Sequence, residues 1–381
     1  MVKIISSKFL FVINIYYIMK QSKRIFYYDV LRAIAIIGIV FCHASISFVS
    51  KPNMVNLNYF IISSVFDCFR DFSIPIFVML SGALLIGKKD TLTDFFKRRL
   101  SRLFIPFIFW VVIYAIYSFI FIRHSIDLNY ALDIFLGAPG TLGVAFWFVW
   151  MIVLSYVGIF IINKAIQWGN SKYGGFDKKF ISLLTLISLL FIACVSYSLF
   201  NPYSSRIVYF VSFLSYIVIG YFIANYALIG ERINAKAIIV MTLLMFAASY
   251  AYYILSYVVP HSVNANQFVT LGYFSLLILF MSVNFFAFFK YLSKAGAFDK
   301  IENGSLGNLI TVISRYSFGI YLSHYLVLNA LKNNISTFVN YSSQNPLFWI
   351  PFLVITTLII CIVISLILNK IPYLNKFSGK A

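Results

Sequence analysis

The chain has 381 residues, of which 62% are hydrophobic, 19% aromatic and 11% charged, against about 45–50% apolar and about 25% charged in an ordinary soluble domain. That composition excludes a water-soluble globule. Its 30 Lys and Arg against 11 Asp and Glu give a net charge of +19, which in a soluble chain would suggest nucleic acid; here the cations lie between long apolar runs, and no basic domain remains for a nucleic acid to bind.

Runs of about 20 apolar residues, the length of a helix crossing about 30 Å of hydrocarbon, predict ten spans near 30–49, 59–87, 103–122, 142–162, 180–200, 207–229, 237–259, 268–289, 308–331 and 346–368. Helices are expected rather than membrane strands, because the runs far exceed the roughly 10-residue alternating segments of a barrel and a helix satisfies its own backbone polar groups in lipid. The expected fold class is therefore all-α, a polytopic membrane protein with the lipid bilayer as its solvent.

The loops alternate in charge. Of the 30 Lys and Arg, 22 fall in 20–24, 88–102, 164–179, 230–236, 290–315 and the tail after 369, whereas the intervening loops hold only Lys51, Arg123, Arg206 and Lys332. Basic residues are retained on the cytoplasmic side, so both ends of the core are expected there. The chain divides into an N-terminal segment 1–24, a transmembrane domain 25–370 and a cytoplasmic tail 371–381. Within the first segment FLFVINIYYIM is too short to span and lacks a small-x-small cleavage site; residues 1–18 read as an interfacial extension or an upstream start ahead of Met19. Cys42, Cys68, Cys194 and Cys361 show no paired spacing, so neither a disulfide framework nor a metal site is expected.

Ionisable side chains inside a span cost about 2.5–3.5 kcal/mol on insertion scales, which makes each a functional candidate. The first span carries Asp29, Arg32 and His43. Arg32 and His43 are separated by three helical turns plus about 20°, so they share a face roughly 16 Å apart along the axis, and Asp29 can pair with Arg32 at i,i+3. In the second span Asp67, Arg70 and Asp71 cluster. The charged half of that long run is expected at the outer surface, or else Pro75 kinks it; Asp67 either holds the tautomer of His43 or belongs to a local ion pair. Ahead of the third span, FFKRRLSRLFIP sets Lys97, Arg98, Arg99 and Arg102 at one helix end. Guanidinium forks bind phosphate bidentately, and the same residues also serve topology and anionic lipid. His324 in the ninth span binds substrate or hydrogen-bonds the bundle; Trp147 is an interfacial aromatic or a sugar platform.

Arg32 followed after ten residues by His43, with Arg99-x-x-Arg102 at the start of the third span and the segments IPIFVMLSG and SRYSFGIYLSHYLVL, resembles the membrane acyltransferase-3 family of bacteria. The likeness runs from about residue 25 to 370. It is nearest to stand-alone members that O-acetylate surface polysaccharides, of the type of the enterobacterial common antigen O-acetyltransferase. The resemblance implies a multi-pass protein of the bacterial cytoplasmic membrane that moves an acyl group, usually acetyl, from acyl-CoA to a carbohydrate hydroxyl, lipid-linked precursors included. It implies His43 as general base, Arg32 and Asp67 beside it in catalysis, Arg98, Arg99 and Arg102 on the coenzyme A phosphates, and His324, Trp147 and Arg70 as candidates for binding the acceptor. Outside that family, ten spans with buried charges also suit a polysaccharide exporter or a non-catalytic subunit of a glycan synthase; against a transporter, the sequence shows no two-half symmetry.

Overall fold

The computed structural model describes residues 24–49, 57–125, 127–196, 206–226, 235–258, 275–334 and 345–380; residues 1–18 and the side chain of Arg70 lie outside what it describes. Within those residues the chain is helical and contains no strand: α1 Phe26–Val49, α2 Leu57–Leu85, α3 Leu92–Ser118 continued by a π turn Phe119–Arg123, α4 Leu128–Leu136, α5 Trp147–Tyr173, α6 Phe176–Ser196, α7 Arg206–Asn225, α8 Ala235–Val258, α9 Leu276–Lys294, α10 Asp299–Glu302, α11 Ser305–Arg315, α12 Ser317–Asn334 and α13 Pro346–Lys370. Among the described residues, 8 helices are long and apolar enough to cross a membrane. The expected seventh and ninth spans correspond to α8, whose apolar stretch is only Ile239–Ala248, and to the α11–α12 pair.

Helix α1 is central and packs on α2, α9, α11, α12 and α13. Leu31, Ala35, Ile36, Val40 and Ala44 are fully buried along it. Small residues let the backbones close up, as they do where lipid supplies no hydrophobic drive between helices. A Cβ on Gly82 of α2 would overlap the Ile217 carbonyl of α7, and one on Gly220 of α7 would overlap the Met79 backbone of α2. Helix α3 shows the solvent it was built for: Leu103, Phe107, Trp110 and Tyr114 are buried, yet Ile105, Ile108, Val112 and Ile116 face outward.

One expectation about the elements is corrected. The run 308–331 is two helices, because α11 ends at Tyr316, whose N–H bonds the Val312 carbonyl, and α12 starts at Ser317. SLGNLITVISR is amphipathic, with Leu306, Asn308 and Leu309 outward and Thr311 and Ser314 inward, so its polar positions need protein partners that a straight continuation would not supply. The loop before the fourth span contains α4, capped by the Asp127 side chain and ended by Gly137 at φ +73°. Helix α2 passes through Pro75 as one helix, and its Asp67 and Asp71 are buried within the bundle.

Candidate active site

The basic end of the site is organised by the start of α3. Thr91 caps the helix, its hydroxyl accepting the Asp94 N–H and donating to the Asp94 carboxylate at 2.8 Å, so the helix begins early enough to place Arg98, Arg99 and Arg102 in its second and third turns. Asp90, just ahead of the helix, accepts from Arg99 at 2.9 Å and from Arg98 at 3.3 Å. Arg99 also lies over the Phe95 ring at 3.9 Å and donates to the Phe95 carbonyl at 3.1 Å. Its side chain is 15% exposed against 60% for Arg98, and its Nε is buried with no hydrogen-bond partner among the described residues.

These three arginines and Arg32 line one cavity of about 480 Å³, with Phe77, Leu85, Phe148 and Ile152 in its apolar walls. That volume lies within the usual range of about 300–1,000 Å³ for small-molecule sites. The cavity joins cations that the sequence places on two separate helices, and it suits a ligand with an anionic head and an apolar or extended body. The orphaned Arg99 Nε, buried beside that cavity, fits a phosphate oxygen.

Arg32 is held in position rather than stretched toward the surface. Ser314, in the last turn of α11, donates to Asp29 at 2.6 Å and accepts from Arg32 at 3.0 Å; Arg32 also lies 3.5 Å from Asp29, as the i,i+3 spacing predicts. Asp29 is paired with Arg24 as well. One buried carboxylate therefore faces two guanidiniums, which leaves net positive charge for the cavity.

At the other end His43 meets His324, with ring centroids 5.2 Å apart and planes at 40°, and Tyr325 contacts the His43 ring edge-on at 5.2 Å. His324 is 0% exposed, whereas His43 is half-buried. His324 Nδ1 lies 2.6 Å from the Tyr321 carbonyl. A carbonyl only accepts, so Nδ1 carries the proton and Nε2 is left with its lone pair; that Nε2 is buried and has no hydrogen-bond partner among the described residues.

Helix α12 is shaped around this histidine. The Tyr114 hydroxyl donates to the Leu322 carbonyl at 2.9 Å and accepts the Leu326 N–H at 3.0 Å, so a side chain from α3 stands in the i,i+4 ladder that flanks His324. Tyr321 bonds the Ala145 carbonyl, lines the cavity and packs its ring 5.9 Å from His324. Tyr321 is thus the link between the cationic cavity and the imidazole pair.

The remaining candidates are dispersed. Asp67 is buried and accepts from Ser45 at 3.4 Å, two residues from His43. Trp147 packs against Tyr209 and Phe213 of α7, away from the cavity wall to which its neighbour Phe148 contributes. Ser314, Tyr114, Tyr321 and Asp90 escaped sequence reasoning; Asp90, next to a run of arginines, carried the only local signal.

No curated protein and no solved structure matches the chain. The sequence model of one family, described as an acyltransferase domain, matches residues 25–366. With four arginines on one cavity and a His43–His324 contact inside an all-helical membrane bundle, this match over most of the length means that the chain belongs to the acyltransferase-3 family and is a membrane acyltransferase.

Proposed function

We propose that the chain O-acylates a hydroxyl of a cell-surface polysaccharide, or of its lipid-linked precursor, with acetyl-CoA as donor, in the bacterial cytoplasmic membrane. The observation that carries this reading is the convergence of Arg32, Arg98, Arg99 and Arg102 on one cavity, which suits a donor with several phosphates. Arg98, Arg99 and Arg102 bind the phosphates through charge-assisted hydrogen bonds. Arg32, fixed by Ser314 and Asp29, attracts the donor further in.

His43 is the half-buried member of the imidazole pair and so the one an acceptor can touch. It takes the hydroxyl proton as the oxygen bonds to the acyl carbon; the carbon–sulfur bond breaks, and His43 returns the proton to the departing sulfur. An imidazole can accept and return a proton in this way. His324 lies behind it, its lone pair fixed toward the interior by the Tyr321 carbonyl, and holds the ring or the acceptor in place.

The test is transfer from acetyl-CoA to the glycan by the purified protein, read by thiol release and by the mass of the product. His43→Ala is expected to lower transfer about 10²- to 10⁴-fold, the usual contribution of a general base, at unchanged membrane abundance and unchanged acetyl-CoA binding. Wild-type acetylation by that variant would remove His43 as the base; a wild-type protein that neither binds nor consumes acetyl-CoA would remove the donor assignment.

A further inference from the structure

The segment after α13 returns to the bundle. Tyr373 turns the chain at φ +69°, Leu374–Phe377 forms a short 3-10 turn, and Phe377 stacks on Phe109 of α3 with centroids 4.6 Å apart and planes at 17°. Ser378, at 1% exposure, is buried. Gly379 has φ +64°, and a Cβ there would fall on the Gly319 backbone; a Cβ on Gly319 would fall on the Ser378 carbonyl. The two glycines therefore permit a backbone contact that any other pair would push apart. It lies in the first turn of α12, and it sets Gly379 and Lys380 into the wall of the cavity that holds Arg32, Arg98, Arg99 and Arg102.

A strap needed only for packing would not carry a cation to that place. Lys380 joins four guanidiniums around a space of about 480 Å³; Asp29 and Asp90 offset part of their charge, and the cations that remain suit a ligand with several anionic groups. Burial, and after it the nearby Arg315, lowers the Lys380 pKa from its ordinary value. We propose that residues 373–380 form a docked strap whose Lys380 is a further binding residue for the phosphates of the acyl donor. The proposal rests on the donor being a coenzyme A thioester, as inferred above.

The probe is coenzyme A, titrated onto the full-length protein in detergent. Lys380→Gln is expected to weaken binding about three- to tenfold, below the usual range for a charge-assisted contact because Lys380 is exposed. Gly379→Ala, which undocks the strap with the lysine still present, is expected to weaken it to the same degree, and the double variant no further. Lys376→Gln removes an equal charge from an exposed position of the same segment outside the cavity and is expected to leave binding unchanged. Wild-type affinity in Lys380→Gln overturns the proposal, and so does an equal loss in Lys376→Gln, which would mean a long-range field instead of a contact. Failure of the wild type itself to bind coenzyme A would overturn the donor assignment, a result distinguishable from either.

Discussion

Tyr114→Phe removes one oxygen and tests how α12 presents His324. The Tyr114 side chain is 0% exposed, and its hydroxyl makes two hydrogen bonds, to Leu322 at 2.9 Å and from Leu326 at 3.0 Å. Two net hydrogen bonds amount to about 1–3 kcal/mol at about 0.5–1.5 kcal/mol each. The two backbone groups are four residues apart on one helix, however, so they can turn to each other and recover one bond. The expected net loss of stability is therefore about 0.5–1.5 kcal/mol. The activity should suffer more, because closing the ladder at Leu322–Leu326 shifts His324 in its 5.2 Å contact with His43, and a misplacement of about 1 Å can reduce rate about 10²-fold. Thermal unfolding of the purified protein and thiol release from acetyl-CoA, measured on the same preparation, separate the two effects. Wild-type turnover with the small stability loss would refute the view that Tyr114 positions the imidazole pair; a stability loss above about 2 kcal/mol would refute the proposed recovery of the backbone bond.

Arg99→Ala combined with Arg102→Ala is expected to weaken coenzyme A binding at least about tenfold, since a hydrogen bond to a charged group contributes about 1.5–3 kcal/mol; unchanged affinity by titration would return the pair to a lipid-facing role. Ser314→Ala removes the hydroxyl between Asp29 and Arg32, and Arg32, then 3.5 Å from Asp29, is expected to close on the carboxylate and leave the cavity. KM for the donor should rise severalfold with kcat largely retained, and a fall confined to kcat would show that Arg32 acts on the reacting atoms alone. The lowered pKa of Lys380 means that its charge is lost at a lower pH than in a free lysine, while the arginines around it stay charged. Coenzyme A affinity should therefore decline as pH rises toward the alkaline range, and Lys380→Arg should flatten that decline. The same depression means that the folded state binds fewer protons than the unfolded one in this window, so this group's contribution to stability increases with pH through it.

Much of the architecture was legible because bilayer thickness imposes one length on every crossing. Apart from 308–331, each apolar run from 30–49 to 346–368 overlaps one helix. The run 308–331 was misread because Asn308, Thr311, Ser314 and Arg315 lie among enough apolar residues to hide a break that only partners on α1 make favourable. Helix α4 was hidden by its brevity. In the site, Arg32, Arg98, Arg99 and Arg102 were readable as expensive or clustered charges, and their convergence follows from α1 and α3 having their basic ends at the same end of the bundle. The pairing of His43 with His324 was not readable, since it joins positions 281 residues apart through helix packing that spacing on one helix cannot report. For Asp67 the sequence left open a role at His43 or a local ion pair; the structure places it within reach of Ser45, two residues from His43, and stacks an imidazole against His43. Tyr114 was invisible for a different reason: an aromatic on an apolar helix ordinarily signifies packing, and its hydroxyl acquires meaning only from the α12 backbone it enters.

Helix α3 also serves as a ruler. From Arg102 to Arg123 it rises about 31 Å at about 1.5 Å per residue, close to the hydrocarbon thickness of about 30 Å, with outward isoleucines and valine between the two cations. Arg102 and Arg123 thus mark headgroup levels on opposite faces, and the arginine cluster belongs at one of them. His43 stands about 16 Å further along α1 than Arg32, which is close to the midplane. On the proposed reading, ester formation takes place near the centre of the bilayer, so the acyl group completes about half its crossing while still attached to its carrier and the other half as part of the product.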